Sequence, residues 1–169
     1  MKVAAILVAI TVALVLQTTL ARLVVRGPFV VDLILVAVVY VALTAGPVAG
    51  LLSGAAAGLA QDALSSGFIG IGGLAKTVVG FLVGTIGSHL IITQPLPRFV
   101  AFAAGTILQA AISLSLYQLL DLRQFGSPFA AVAGQSLGNA VVGVLAFQLA
   151  EMLPGAVERR RAQRARIRR

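Results

Sequence analysis

The sequence has no cysteine, no tryptophan, a single histidine and only five carboxylates in 169 residues. The absence of cysteine excludes disulfides, thiolate metal sites and cysteine nucleophiles together. His89 has no carboxylate near it in sequence, and a metal site needs three or four ligands, so no metal centre is expected. Nor can the serines be matched to a base, because one distant histidine does not make a nucleophile–base pair. Charge of either sign is scarce, at 11% of residues, against roughly 25% in soluble domains. Apolar residues fill the space: 59% of the chain is hydrophobic and the mean hydropathy is +1.03. Water is the wrong solvent for such a chain. The expectation is an all-α polytopic membrane protein that binds no cofactor and is not an enzyme.

The charge that exists is unevenly placed. The formal net charge is +8, but seven of the thirteen basic residues lie between Arg159 and Arg169, beyond the last apolar run. The pI near 11.6 therefore reports a basic tail on an apolar body, and no nucleic-acid partner is implied. The chain divides into a transmembrane domain, residues 1–153, and a basic tail, residues 154–169. The tail is expected to hold the C-terminus in the cytoplasm and to be drawn to anionic lipid, at about 1 kcal/mol per basic residue near the surface.

A helix needs about 20 apolar residues to cross a hydrocarbon core of roughly 30 Å. Six candidate spans follow: Val3–Leu20, Phe29–Ala45, the shorter Val48–Gln61, Leu74–Ile92, Phe99–Leu120 and Phe129–Leu153. The first is too long for the core of a signal peptide and is read as a retained helix. Thr93 to Arg98 reads as a loop, because Pro95 and Pro97 remove backbone donors. With six spans, Lys2, Arg98 and the seven tail arginines share one side, and Arg22, Arg26 and Arg123 the other. The excess marks the first side as cytoplasmic, so both termini are placed there.

Within the spans, Gly46, Gly50, Gly54 and Gly58 recur every four residues. Lipid tails give no hydrophobic drive to helix pairing, so close backbone approach must supply it, and a row of small residues allows that approach. The row, with Gly80 and Gly84 of the next span, is expected to pack against a neighbouring helix or to receive a partner's helix. Gln135 and Asn139, one turn apart, should hydrogen-bond across the bundle. Asp32, Asp62 and Lys76 lie inside or at the edge of apolar stretches, where a lone charge costs at least a few kcal/mol. Asp62 and Lys76 are expected to pair across the short turn between them, the alternatives being a ligand or ion site or a contact for a partner's charged residue. The run Gly70 to Thr77, GIGGLAKT, resembles a phosphate-binding loop or a dinucleotide fingerprint. Both readings fail for want of a preceding strand, and the glycines instead suit an irregular start to the fourth helix.

From Asp32 to Gly84 the chain reads DLILVAVVYVALTAGPVAGLLSGAAAGLAQDALSSGFIGIGGLAKTVVGFLVG. An aspartate opening the second helix, a Gly-Pro turn, a glycine ladder ending in an aspartate and a glycine-containing link into the fourth helix resemble the MreD family of rod shape-determining membrane proteins. Pro28 lies four residues before Asp32 rather than beside it, and the long arginine tail departs from the family pattern. The resemblance implies a non-enzymatic subunit of the peptidoglycan elongation machinery, the elongasome. Its partner would be MreC, with MreB and the elongation synthase pair engaged indirectly. It also implies a six-helix fold similar to the substrate-binding subunits of energy-coupling-factor transporters. The alternative function is therefore a vitamin-capturing transporter subunit, although short outer loops leave few groups to enclose a polar vitamin.

Overall fold

A computed structural model describes residues 3–23, 31–65, 68–89, 94–122 and 129–167, and every described element is helical. The helices are α1 (Val3–Leu23), α2 (Leu33–Ala45), α3 (Pro47–Leu64), α4 (Ile71–His89), α5 (Pro95–Leu119) and α6 (Phe129–Ile167). The loop residues Arg26 and Arg123, and the side chains of the tail arginines that carried the topology argument, lie outside the described residues.

The shortest helix sits at the centre. α2 has 13 residues, hence a length of about 20 Å, and it packs against all five other helices. Its sequence is apolar on every side, as a helix surrounded by helices must be. Ile34, Leu35, Val38, Val39, Val41 and Ala42 are almost wholly buried. Two clusters form around it. Leu35, Val39 and Ala42 meet Val79, Val83, Phe102, Ala140 and Phe147 on one side, and Ile34 and Val38 meet Ile10, Ala13 and Ala57 on the other. The periphery is the reverse of a soluble protein's surface. Leu7, Val12, Leu52, Ile86, Val100, Leu145 and Leu149 point outward, as a lipid-facing belt requires.

Among the described residues three helices are long and apolar enough to cross a membrane: Ile71–His89, Pro95–Leu119 and the Phe129–Met152 part of α6. Apolar stretches of α1 (Ile6–Thr19) and α2 are shorter.

Several boundaries differ from expectation, among them that of α3, which runs Pro47–Leu64 rather than Val48–Gln61. α5 begins at Pro95, so most of the expected loop at 93–98 is the first turn of a helix with Gln94 as its N-cap. The reason is that first-turn N–H groups have no acceptor within the helix, and proline there loses nothing. α4 begins at Ile71 rather than Leu74, and α6 continues past Leu153 and through Pro154 as far as Ile167.

α3 and α4 form the tightest pair, an antiparallel hairpin with the two backbones in contact. A Cβ on Gly54 would run into the Lys76 carbonyl, and one on Gly50 into the Gly80 carbonyl. A Cβ on Gly58 would lie 2.6 Å from Gly73 Cα, and one on Gly84 2.6 Å from Pro47 Cα. Gly46 is different. Nothing lies within 4 Å of its missing side chain, but its φ of +88° makes the turn from α2 into α3, which suits glycine. Of the six glycines singled out in the sequence, five are contact surfaces and Gly46 is a hinge of backbone geometry.

Candidate functional site

Because α2 starts inside the bundle, the free N–H groups of its first turn have no water to turn to. Each finds a partner. The Asp32 N–H donates to Asn139 Oδ1 of α6 at 2.8 Å, and the Leu33 N–H donates to Gln17 Oε1 of α1 at 2.9 Å. Ile34 and Leu35 N–H groups donate to Asp32 Oδ1 at 3.1 and 3.0 Å, so Asp32 is the N-cap of its own helix. The other carboxylate oxygen, Oδ2, pairs with Lys76 Nζ of α4 at 2.9 Å. Both side chains are buried, 3% exposed for the lysine and 7% for the aspartate. The network extends outward. Asn139 Nδ2 donates to Thr106 Oγ1 of α5 at 3.0 Å, and Gln17 Nε2 donates back to the Val31 carbonyl at 3.2 Å. Four helices thus converge on the start of the fifth.

This corrects the expected Asp62–Lys76 pair. Lys76 pairs with Asp32, a residue far away in sequence, and Asp62 has another task. Its Oδ2 accepts from the Gly70 and Gly73 N–H groups at 2.8 and 2.9 Å, capping the start of α4. Gly70, at φ +108°, turns the chain so that both amides point at one oxygen. The run GIGGLAKT is therefore an anion-seeking helix start whose anion is the protein's own carboxylate. The glycine ladder explains why the lysine lies where it does: with no side chain on Gly54, the α4 turn bearing Lys76 can sit against α3.

Asp32, Asp62 and Lys76 come together around a polar cavity of ≈ 260 Å³ between α3, α4 and α5, also lined by Gln61, Gln109 and Tyr117. Asn139 bonds across the bundle as its residue type suggested, and Gln135, one turn earlier, is half-buried. His89 is exposed at the end of α4. Among the described residues no group of three or more His, Asp or Glu side chains is placed to hold a metal ion.

A second polar cluster, at the opposite end of the bundle, escaped sequence reasoning. Arg98, in the first turn of α5, makes a two-pronged contact with Glu151 of α6, its Nη1 donating to Oε2 at 3.0 Å and its Nη2 to Oε1. The guanidinium also lies 4.1 Å from the centroid of the Phe147 ring, and Phe147 meets Tyr40 edge-on at 4.8 Å. No local spacing signals a pair 53 residues apart. Once Pro95 is read as a helix start, however, Arg98 moves from a loop to a helix face.

The family model of the rod shape-determining protein MreD matches residues 1–153. The chain belongs to the MreD family. The matched region covers all six apolar segments and stops where the arginine-rich extension begins. No curated protein and no solved structure matches the chain. Membership makes this a membrane-associated protein of rod-shape determination, in a family of shape-determining proteins rather than of enzymes. The donors and acceptors of the buried polar node hold helices to one another.

Proposed function

We propose that this MreD-family protein crosses the bacterial inner membrane six times, with both termini in the cytoplasm, and acts as a non-enzymatic subunit that binds MreC and helps organise the peptidoglycan elongation machinery. The family match over residues 1–153 carries the reading. The distribution of lysine and arginine supports the topology, with Lys2, Arg98 and the tail on one side. α2, with 13 residues, is short for a hydrocarbon core, and the six-span arrangement has it cross together with longer neighbours. The helix number is what a fold like that of energy-coupling-factor substrate-binding subunits requires. The asymmetry of the polar clusters fits: the Asp32 node belongs to the outer half and the Arg98–Glu151 pair to the cytoplasmic half. The basic extension after Leu153 lies along anionic lipid of the inner leaflet.

Reporter fusions after Gln94 and Arg164 should give cytoplasmic signals, and one after Ser66 an outer signal. A periplasmic signal from Arg164 would overturn the topology. For the role, depletion should round rod-shaped cells, and affinity-tagged protein solubilised in mild detergent should carry MreC with it. Cells that stay rod-shaped on depletion would remove the shape function.

A further inference from the structure

The cavity beside the ion pair contains more acceptors than the protein satisfies. Gln61 Oε1 and Gln109 Oε1 are buried without a hydrogen-bond partner, and both side chains line the same space. A buried carbonyl left unpaired costs about 1–3 kcal/mol, so two at one place call for an explanation. Asp62 adds a third acceptor: Oδ2 takes both backbone amides, and neither bond uses Oδ1. Among the described residues the charges lining the cavity are Asp32, Asp62 and Lys76, and since Lys76 is matched by Asp32, their sum is one negative charge. Phe68 and Tyr117, an edge-to-face pair with centroids 6.4 Å apart, supply aromatic wall. Carboxylate, amide oxygens and aromatic rings are what a small cation with several N–H donors needs. At ≈ 260 Å³ the space is smaller than the roughly 300–1,000 Å³ of sites for drug-sized molecules, which suits a group of a few heavy atoms.

We propose that this cavity binds a primary ammonium group, with Asp62 as counter-charge and the side-chain oxygens of Gln61 and Gln109, turned by rotation of their terminal amides, as hydrogen-bond acceptors. The ammonium can come from the headgroup of an ethanolamine lipid or from a free small amine. The inference does not depend on the MreC assignment, and the test below reads only the purified protein.

Gln109→Leu is the decisive variant, because the oxygen it removes has no partner within the protein. Its basal thermal stability should equal or exceed that of the natural chain. The natural chain should melt higher in nanodiscs of phosphatidylethanolamine and phosphatidylglycerol than in nanodiscs where phosphatidylcholine replaces the ethanolamine lipid. In detergent, ethanolamine at tenfold excess over its Kd should raise Tm by roughly 3–6 °C, and choline should not. A shift in the nanodisc arm alone, lost in Gln109→Leu, identifies the lipid headgroup. A shift with free ethanolamine, lost in the variant, identifies a soluble amine. No shift in either arm, an equal shift with choline, or a shift that survives Gln109→Leu overturns the proposal and leaves water as the filling of the cavity.

Discussion

The two ends of the helix bundle each hold an ion pair, and the pairs are built on different terms. At one end Asp32 and Lys76 are both shut away from the surroundings, and Asp32 is also committed to two backbone amides. At the other, Arg98 is buried but Glu151 is 55% exposed on its side chain. A pair with both charges buried has no fallback: when one partner goes, the other is stranded in a medium that cannot solvate it. A pair with one arm at the surface can exchange its partner for water or a lipid headgroup. The difference follows from how the helices are placed. Lys76 and Asp32 belong to helices that meet near the middle of the bundle, one of them surrounded by all the others. Arg98 and Glu151 belong to two peripheral helices, near the start of one and at the end of the apolar part of the other.

Mutations sharpen this contrast, and the largest effect should come from Lys76→Met. It leaves the Asp32 carboxylate buried and unpaired, at a cost of about 3–5 kcal/mol, seen as a lower melting temperature or loss of folded protein in detergent. Asp32→Asn combined with Lys76→Met should recover part of that loss, because no charge is then stranded. Strict additivity in this cycle would mean that the two side chains act independently.

Gly54→Leu should come next. Its side chain meets the Lys76 backbone, so α3 and α4 must separate, with an overpacking cost of about 1–3 kcal/mol or more. The same substitution at exposed Ala56 should be nearly silent, and equal melting temperatures for the two variants would contradict the packed hairpin. Asn139→Ala removes the acceptor for the Asp32 N–H and should cost about 1–3 kcal/mol in the same assay. Glu151→Gln should be the mildest, since an amide oxygen still accepts from Arg98 and the position is open to its surroundings. A drop in melting temperature as large as that of Lys76→Met would erase the distinction between the two ends.

Much of the bundle was legible from residue types alone. The six apolar segments mark six helices, but Gly46-Pro47 reads in the sequence as a stop after α2, whereas Pro47 opens α3, because proline is tolerated in a first turn. The same rule, applied to Pro95, would have placed the start of α5 correctly. A pair of prolines reads as a break in an irregular segment, and within a first turn it marks a beginning. The four-residue glycine spacing pointed to close helix contact, and the antiparallel match of Gly50, Gly54 and Gly58 with α4 uses that spacing. Gly143 carried no such signal, yet the Phe102 ring lies against it where a side chain would be. A lone glycine reveals nothing until the ring that covers it is known.

The candidate site was legible in its members and not in its pairing. Asp32, Asp62 and Lys76 are conspicuous because charge in an apolar stretch is costly, and that much follows from composition. Which aspartate meets the lysine does not, because sequence proximity favoured Asp62, only a short turn away. The tertiary arrangement gives Asp62 to the Gly70 and Gly73 amides at the start of α4, and brings Lys76 to the start of α2. The sequence by itself determined that this protein is helical, apolar outside as well as inside, and obliged to neutralise a few buried charges. Only the tertiary structure decided the partners, because a helix that begins inside a bundle must satisfy its first N–H groups with side chains from its neighbours, and packing selects which neighbours reach it.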